Sequence, residues 1–398
     1  IGTISAASVV VEALKGLEKE FSKEFLFGDV SKVSVDNNIA AISIAGQDLS
    51  TFHNLYSSLI RNKITPILFN NIITGNSVSL VVKKTDLKRA LNVINVGIFG
   101  LSKKINIAIF GHGLVGSTLI DQVLSSAKNI EIKKGIKLNI FAIANSTKLV
   151  INEGGIQENW KTEIATNGET YSVQDIVKYA KENHLENLIA VDNTASSTFV
   201  ENYVTLIESG FDVVSSNKIA NTLSYGFYKE IRQVLQDNQK NYLYETNVGA
   251  GLPLIDTIKL LHLSGENITK IKGVFSGTLS YIFNHFSVED KPFSEVLKEA
   301  IALGFTEPDP REDLCGNDVA RKLLILAREL DLQNEFNEID IQNLIPVELR
   351  SLTTSSFLEN LNLLDSHYKT IKENQEKGNV LRYIGELSGD LQQDKGNL

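Results

Sequence analysis

The sequence predicts an α/β chain in three parts: a ferredoxin-like unit over 1–95, a Rossmann-type doubly wound unit over 96–248, and a further α/β unit over 249–398. Three observations carry this. Strand and helix patterns over 39–94 follow the order β-α-β-β-α of a ferredoxin-like half-sheet. At 105–116 an apolar strand runs directly into G-x-G-x-x-G. Short apolar runs then recur at 137–145, 187–194 and 211–217, as strands of a parallel sheet do.

Composition bounds the function. A chain of 398 residues with 42% hydrophobic and 22% charged residues is an ordinary globular protein of two or three domains. A net charge of -9 without a basic run argues against a nucleic-acid-binding face. No apolar stretch is long enough to span a membrane, and no signal peptide is evident. The single Cys315 excludes an internal disulfide, so a cytoplasmic setting is expected. Histidines 53, 112, 184, 262, 285 and 367 show no metal-ligand spacing. The chain begins at Ile1 and has no methionine, which reads as an excised piece or as a chain lacking modified residues.

In the first unit, helical spacing at 10–25 precedes a strand at 39–46, a helix at 51–63, strands at 65–71 and 77–83, and a helix at 85–94. It holds no nucleophile–base pair and no phosphate loop, so a ligand-binding regulatory module or a plain structural domain is expected.

The second unit opens with the strand at 105–110 and the turn GHGLVG. Gly111 permits a tight turn, Gly113 lets a pyrophosphate approach the backbone, and Gly116 lets helix and strand pack closely. A dinucleotide is therefore expected, with a glycine-rich turn of any doubly wound sheet as the plainer alternative. The next strand, 137–145, ends without the acid that usually holds an NAD ribose. Lys148 could face a 2′-phosphate, which favours NADP over NAD, although a solvated surface lysine fits the same pattern. Later strands end at Thr194, Ala195 and Ser196, and at Ser215, Ser216, Asn217 and Lys218, where ligands of open sheets bind. Glu245 and the carbonyls of the following VGAGL could hold a hard monovalent cation. A simple turn with Gly249 and Gly251 at positive φ explains that segment equally well.

The densest chemistry lies at 304–322, GFTEPDPREDLCGNDVARK. It holds the acids Glu307, Asp309, Glu312, Asp313 and Asp318 beside Arg311, Arg321 and Lys322. Pro308 and Pro310 stiffen the loop and bar a helix there, and Asn317 or Asp318 is placed to cap the helix that follows. Asp318 and Lys322, four apart, share one helical face. A solvated acidic loop with a helical ion pair explains the charges alone. A lysine among carboxylates on an apolar helix is also a candidate proton donor.

These motifs together (GHGLVG, SSNKIANT, ETNVGAGLP, FSGTLSYIF and GFTEPDPREDLCGNDVARKLLILARE) resemble homoserine dehydrogenase over roughly 105–385. Residues 1–95 resemble the regulatory ACT region of an aspartokinase, so the chain is similar to the ACT-plus-dehydrogenase portion of a bifunctional aspartokinase/homoserine dehydrogenase, without the kinase domain. The resemblance implies reversible reduction of L-aspartate 4-semialdehyde to L-homoserine by NAD(P)H in threonine and methionine biosynthesis. It implies Lys322 as proton donor with Asp318 as its polar partner, Glu307 and Asp313 on the substrate side, and Lys218 at the nicotinamide–substrate junction. Leu114, Val115, Thr194, Ala195, Ser215 and Ser216 become nucleotide contacts, and Glu245 with the carbonyls of Val248, Ala250 and Leu252 a sodium site. A threonine effector at the ACT region and a homodimer or homotetramer are implied as well. The family chain continues into more sheet and a last glycine-rich segment, so the C-terminal end at Leu398 reads as truncated.

Two other functions compete. A phosphorylating semialdehyde dehydrogenase needs a cysteine nucleophile, for which Cys315 is the only candidate. A non-catalytic amino-acid-sensing fragment with a vestigial Rossmann domain needs no intact Asp318–Lys322 pair.

Overall fold

The computed structural model describes residues 16, 19, 20, 22, 36, 38–45, 52–71, 77–99, 103–376 and 378–398. Of the helix expected over 10–25, Gly16, Lys19, Glu20 and Ser22 are described, all helical, and the rest lies outside the described residues. The described residues form two compact units, one ending at Phe99 and one beginning beyond it.

The first unit runs β1 (Ile39–Ala45), α1 (Phe52–Arg61), β2 (Leu68–Asn71), β3 (Ser77–Lys83) and α2 (Leu87–Phe99). Its sheet is antiparallel in the order β1-β3-β2, with Ile39 opposite Lys83. Val78, Leu80 and Val82 alternate onto one face of β3 and are buried with Leu55, Leu59, Val93 and Ile94 of the two helices.

The second unit begins with β4 (Lys103–Phe110), α3 (Leu114–Lys134), β5 (Ile136–Ala144) and β6 (Leu149–Ile151). Then come α4 (Trp160–Asn167), α5 (Val173–Glu182), β7 (Leu188–Asp192), α6 (Ser197–Val200), α7 (Tyr203–Glu208), β8 (Phe211–Ser215), α8 (Tyr225–Asn238) and β9 (Tyr242–Leu243). The six strands lie in the order β6-β5-β4-β7-β8-β9, all parallel to their neighbours except the edge strand β6. The buried runs of β4 and β5 need helices on both faces, as parallel sheets do. Strand β9 is only two residues long, because the chain turns at Glu245–Asn247 into a 3₁₀ turn.

Beyond it lie α9 (Leu254–Leu263), β10 (Lys270–Gly273), α10 (Gly277–Val288), α11 (Phe293–Ala302), α12 (Arg311–Leu314) and α13 (Asn317–Arg328). The chain then makes α14 (Val347–Arg350), α15 (Thr354–Glu359), α16 (Asp365–Glu373) and β11 (Gly385–Ser388), which pairs antiparallel with β10. Stacked Phe293 and Tyr368 centre the core of this helical part.

Helix α13 fixes the site. Leu323, Ile325, Leu326 and Ala327 share one core with Val213 of β8, Ile231 of α8 and Tyr242 of β9. Val319 packs instead with the α10–α11 aromatics. Every residue from Leu323 to Arg328 is buried, as in a central helix. Each of the leucines, isoleucines and valines of the helix contributes roughly 1.5–3 kcal/mol when fully buried. The helix is thus bonded to the nucleotide-type sheet and to the helical part at once, and its polar residues sit at the seam between them.

Candidate active site

The dinucleotide turn has the expected local geometry. Gly111 adopts φ +84°, and a Cβ there would meet the Asn193 backbone at 2.9 Å. A Cβ on Gly116 would meet the Gly111 carbonyl oxygen at 2.0 Å, whereas one on Gly113 would meet nothing within 4 Å. Gly113 begins the 21-residue helix α3, with Leu114 and Val115 exposed at its first turn. Open space at a helix N-terminus, with N–H groups unpaired, suits an anionic group.

The strand ends beside this turn are braced from within. Asp192, at the end of β7, is 1% exposed and accepts bonds from the Thr194 amide (2.7 Å), the Tyr203 hydroxyl (2.7 Å) and Asn217 Nδ2 (3.1 Å). Burial raises its pKa above the ordinary carboxylate value against those bonds. The Ser215 hydroxyl, expected to contact a nucleotide, is buried in the same network, 2.8 Å from the Tyr203 hydroxyl and accepting the Asn217 amide at 2.9 Å. Ser216 donates to Asn193 at 3.2 Å, and Ala195 lines the cavity described next. The sequence signal for these braces was present, in the polar residues after each strand, but nothing in it separated inward from outward.

Lys148 lies just after β5, its amide donating to the Asn145 side chain at 2.8 Å. Its ammonium donates to the Ala165 carbonyl at 2.8 Å, while Asn145, at the end of β5, bonds His112 at 3.1 Å.

A cavity of about 820 Å³ lies between the ends of β7 and β8 and the elements α10, α12 and α13. It is lined by Ala195 and Lys218 from one side and by Thr278, Glu307, Asp313, Asp318, Arg321 and Lys322 from the other. Asp318 stands between two ammonium groups: Lys322 Nζ at 2.6 Å and Lys218 Nζ at 3.4 Å. Burial would raise its carboxyl, but the two lysine charges outweigh that and hold it below the ordinary value. Lys322 also donates to the Phe275 carbonyl at 2.7 Å, which aims its head group at the cavity. An ammonium has three N–H bonds, so one is left for a ligand oxygen.

Asp313 supports Glu307. Its carboxylate accepts the Glu307 amide at 2.8 Å, and burial raises its pKa. Glu312 lines the same cavity, whereas Asp309 does not. Asp309 pairs with Arg311 at 2.5 Å and with the Thr354 hydroxyl at 2.8 Å. Arg321 does not pair with Glu312: it reaches Thr222 at 3.1 Å and lies over the Phe336 ring at 4.7 Å. The expected cap is also different. Gly316, with φ +80°, begins α13, and a Cβ there would meet the Tyr383 hydroxyl at 2.2 Å. Nor do the prolines bar all helix, since the short α12 starts directly after Pro310.

Cys315 is no ready nucleophile. Its thiol donates to the Glu312 carbonyl at 3.2 Å, and burial pushes its pKa up, away from the thiolate.

At the proposed cation segment, both Glu245 oxygens accept amides of α9, from Ile255 at 2.8 Å and Asp256 at 3.0 Å. The turn places Gly249 and Ala250 at positive φ, rather than Gly249 and Gly251.

Residues 111–245 match the family model described as homoserine dehydrogenase, NAD binding domain, and 253–394 the one described as homoserine dehydrogenase. The homoserine dehydrogenase of Schizosaccharomyces pombe is 35% identical over 292 residues, which is 71% of this chain and 77% of that protein. The chain belongs to the homoserine dehydrogenase family. A bifunctional aspartokinase/homoserine dehydrogenase of Buchnera aphidicola is 38% identical over 93% of this chain and 46% of its own length. The chain thus spans less than half the length of the bifunctional relatives it matches. A solved hyperthermophilic archaeal homoserine dehydrogenase in complex with NADPH is similar at a TM-score of 0.54 and 25% identity, covering 72% of this chain and 79% of that one. In this homoserine dehydrogenase family member, both matched regions meet at the cavity that holds Lys218, Asp318 and Lys322. Among the described residues no helix is long and apolar enough to cross a membrane.

Proposed function

We propose that the chain reduces L-aspartate 4-semialdehyde reversibly to L-homoserine with NAD(P)H, as the dehydrogenase portion of a bifunctional aspartokinase/homoserine dehydrogenase. The observation that carries this is the Lys218–Asp318–Lys322 cluster at one end of the cavity, with Glu307 also in its wall. The turn at Gly111–Gly116 and the first turn of α3 would hold the pyrophosphate, with Thr194 and Ala195 beside it. The nicotinamide cofactor supplies the hydride.

The chain's own residues manage charge and position. As the aldehyde carbon accepts a hydride, its oxygen becomes anionic, and Lys322 gives that oxygen a proton. Asp318 holds Lys322 in place for that transfer. Lys218 adds a second positive charge on the same carboxylate. Glu307 pairs with the substrate ammonium, and Asp313 fixes the Glu307 backbone.

Three finer assignments belong to the same reading. NADP is the preferred cofactor, with Lys148 exchanging its Ala165 carbonyl for a 2′-phosphate. Glu245 and the carbonyls of Val248, Ala250 and Leu252 form an all-oxygen donor set of the kind sodium takes. The first unit, with its β-α-β-β-α order, is an ACT-like module for a threonine effector, in a chain that assembles as a homo-oligomer in the cytoplasm.

The test is NADPH oxidation with aspartate semialdehyde, followed at 340 nm, comparing the wild type with Lys322→Ala. A loss of roughly 10²–10⁴ in kcat is expected for the variant. Full activity in Lys322→Ala removes the proton-donor assignment, and no turnover by the wild type removes the reading itself.

A further inference from the structure

We infer that Arg328 is a positioning residue that holds Lys218 in the site, although it lies at the far end of α13 from Asp318 and touches no part of the cavity. The inference rests on the proposed function above, because it explains how that chemistry is kept in register.

Lys218 sits on a turn, not on a regular element. It precedes the 3₁₀ segment Ile219–Asn221, and the chain there has left β8. Such a turn has little rigidity of its own. Its start is tied to the nucleotide side: Asn217 donates to Asp192 at 3.1 Å and to the Ser196 carbonyl at 3.1 Å, and accepts the Ile219 amide at 3.0 Å. Its far end is tied to α13. Arg328 donates one Nη to the Asn221 carbonyl at 2.7 Å and the other to the Leu223 carbonyl at 2.7 Å.

That pair of bonds uses the planar fork of a guanidinium, which spans two acceptors in fixed geometry as an ammonium does not. Arg328 is 1% exposed, and Glu335 lies 3.4 Å from it. A buried charge reaching two backbone carbonyls is an expensive way to close a turn unless the position of the turn matters.

The position matters because the same helix carries the partner of Lys218. Asp318 lies ten residues before Arg328 on α13, roughly 15 Å along the axis. One rigid helix therefore holds the turn at both ends, by Asp318 on the Lys218 ammonium and by Arg328 on the carbonyls beyond it. Thr222 adds a middle point, bonding the Lys218 carbonyl at 3.2 Å and receiving Arg321 at 3.1 Å. With the Arg328 fork lost, the turn keeps the Arg321–Thr222 bond and the side-chain bonds of Asn221 to Tyr242, Asn247 and Arg232, but both backbone carbonyls at its far end lose their hold on α13, and the Lys218 ammonium shifts relative to Asp318.

The experiment is a double-mutant cycle on the purified chain. Arg328→Lys keeps the charge but loses the fork. It is expected to lower kcat about 10- to 100-fold, since small misplacements of a reacting group cost that much. In a Lys218→Ala background the same change is expected to cost nothing further, because the residue through which Arg328 acts is gone. Equal losses in both backgrounds, or no loss in either, overturn the inference while leaving the functional reading intact. Should Arg328→Lys fail to fold, the isosteric Thr222→Val runs the same cycle with the same criteria. If the wild type itself does not turn over, the functional reading falls instead. The clamp is then judged by a crystal structure of Arg328→Lys, or of Thr222→Val if that variant is the one that folds: a Lys218–Asp318 separation still near 3.4 Å overturns it, and a broken pair supports it.

Discussion

Asp318 reaches Lys218 at 3.4 Å, from the first turn of α13 to the turn that follows β8. The contact joins the part of the chain that carries the dinucleotide turn to the part that carries the acidic loop. Its carboxylate already holds Lys322 at 2.6 Å. One acid therefore serves two lysines, and the electrostatics of the cavity depend on that acid staying ionised.

The acid limb of activity follows from this. The Lys218 and Lys322 charges hold the Asp318 carboxyl below its ordinary value, against the effect of burial. The pair is then intact above that depressed value and lost as pH falls through it. Asp313 and Glu307 face the same cavity as acids, and Arg321 as a cation. Removing one lysine removes part of what depresses Asp318. Lys218→Ala should move the acid limb of kcat/KM to higher pH, measured from pH 4 to 8. A limb that stays in place shows that another group sets it.

Gly113 and Gly116 should fail in different ways. A Cβ at Gly116 would strike the Gly111 carbonyl oxygen at 2.0 Å, so Gly116→Ala displaces backbone and costs about 1–3 kcal/mol as overpacking does. A Cβ at Gly113 meets nothing within 4 Å, and its φ of -64° suits alanine. Gly113→Ala should keep the wild-type Tm and raise KM for the cofactor about tenfold, because the new methyl occupies the approach to the helix N-terminus. Calorimetry and cofactor titration of the two variants separate the effects. A Tm drop in Gly113→Ala, or none in Gly116→Ala, would contradict the geometry.

Asp313 should act on substrate binding through Glu307. It accepts the Glu307 amide at 2.8 Å, and its own carboxyl is raised by burial. Asp313→Ala frees the loop and is expected to raise KM for the semialdehyde about tenfold, roughly the worth of one charge-assisted bond, with a smaller effect on kcat. Asp313→Asn keeps an acceptor oxygen and should recover most of that loss. Steady-state kinetics of both variants decide it: no recovery by asparagine means that the charge itself meets the substrate.

The sequence made some of this legible and not the rest, for physical reasons. The strand–turn–helix at 105–134 was readable because a pyrophosphate-type turn demands glycines at fixed offsets. The Asp318–Lys322 pair was readable because helical spacing dictates it. Lys218 was placed at a strand end by topology, but its contact with Asp318 was not, since strand periodicity says nothing of partners distant in sequence. Ser215 and Ser216 are neighbours of the same type, yet one hydroxyl is buried under Tyr203 and the other reaches Asn193. Arg321 follows the acidic loop closely in sequence, but its length carries it to Thr222 and Phe336, which sequence spacing does not reveal. The segment 146–186 gave no elements, because its edge strand has three residues and the amphipathic signals of α4 and α5 are short.

Asp309 should govern acid stability rather than catalysis. The Arg311 guanidinium beside it holds its carboxyl down to about 2, and Thr354 and the Arg311 amide assist. The Arg311 fork also donates to the Leu352 carbonyl at 2.5 Å, so the pair ties the acidic loop to the start of α15. A carboxyl depressed on folding stabilises the native state above its ordinary pKa, and that contribution fades as pH falls from about 4 towards 2. The side chain is 24% exposed, so solvent screening leaves about 1–2 kcal/mol. Asp309→Asn should therefore lower Tm at pH 7 by a few degrees, converge with the wild type near pH 2, and leave kcat within about twofold. Thermal unfolding across pH 2–7 checks the convergence. A Tm difference that persists unchanged at pH 2 assigns the effect to hydrogen bonding by Thr354 instead of to the Arg311 charge.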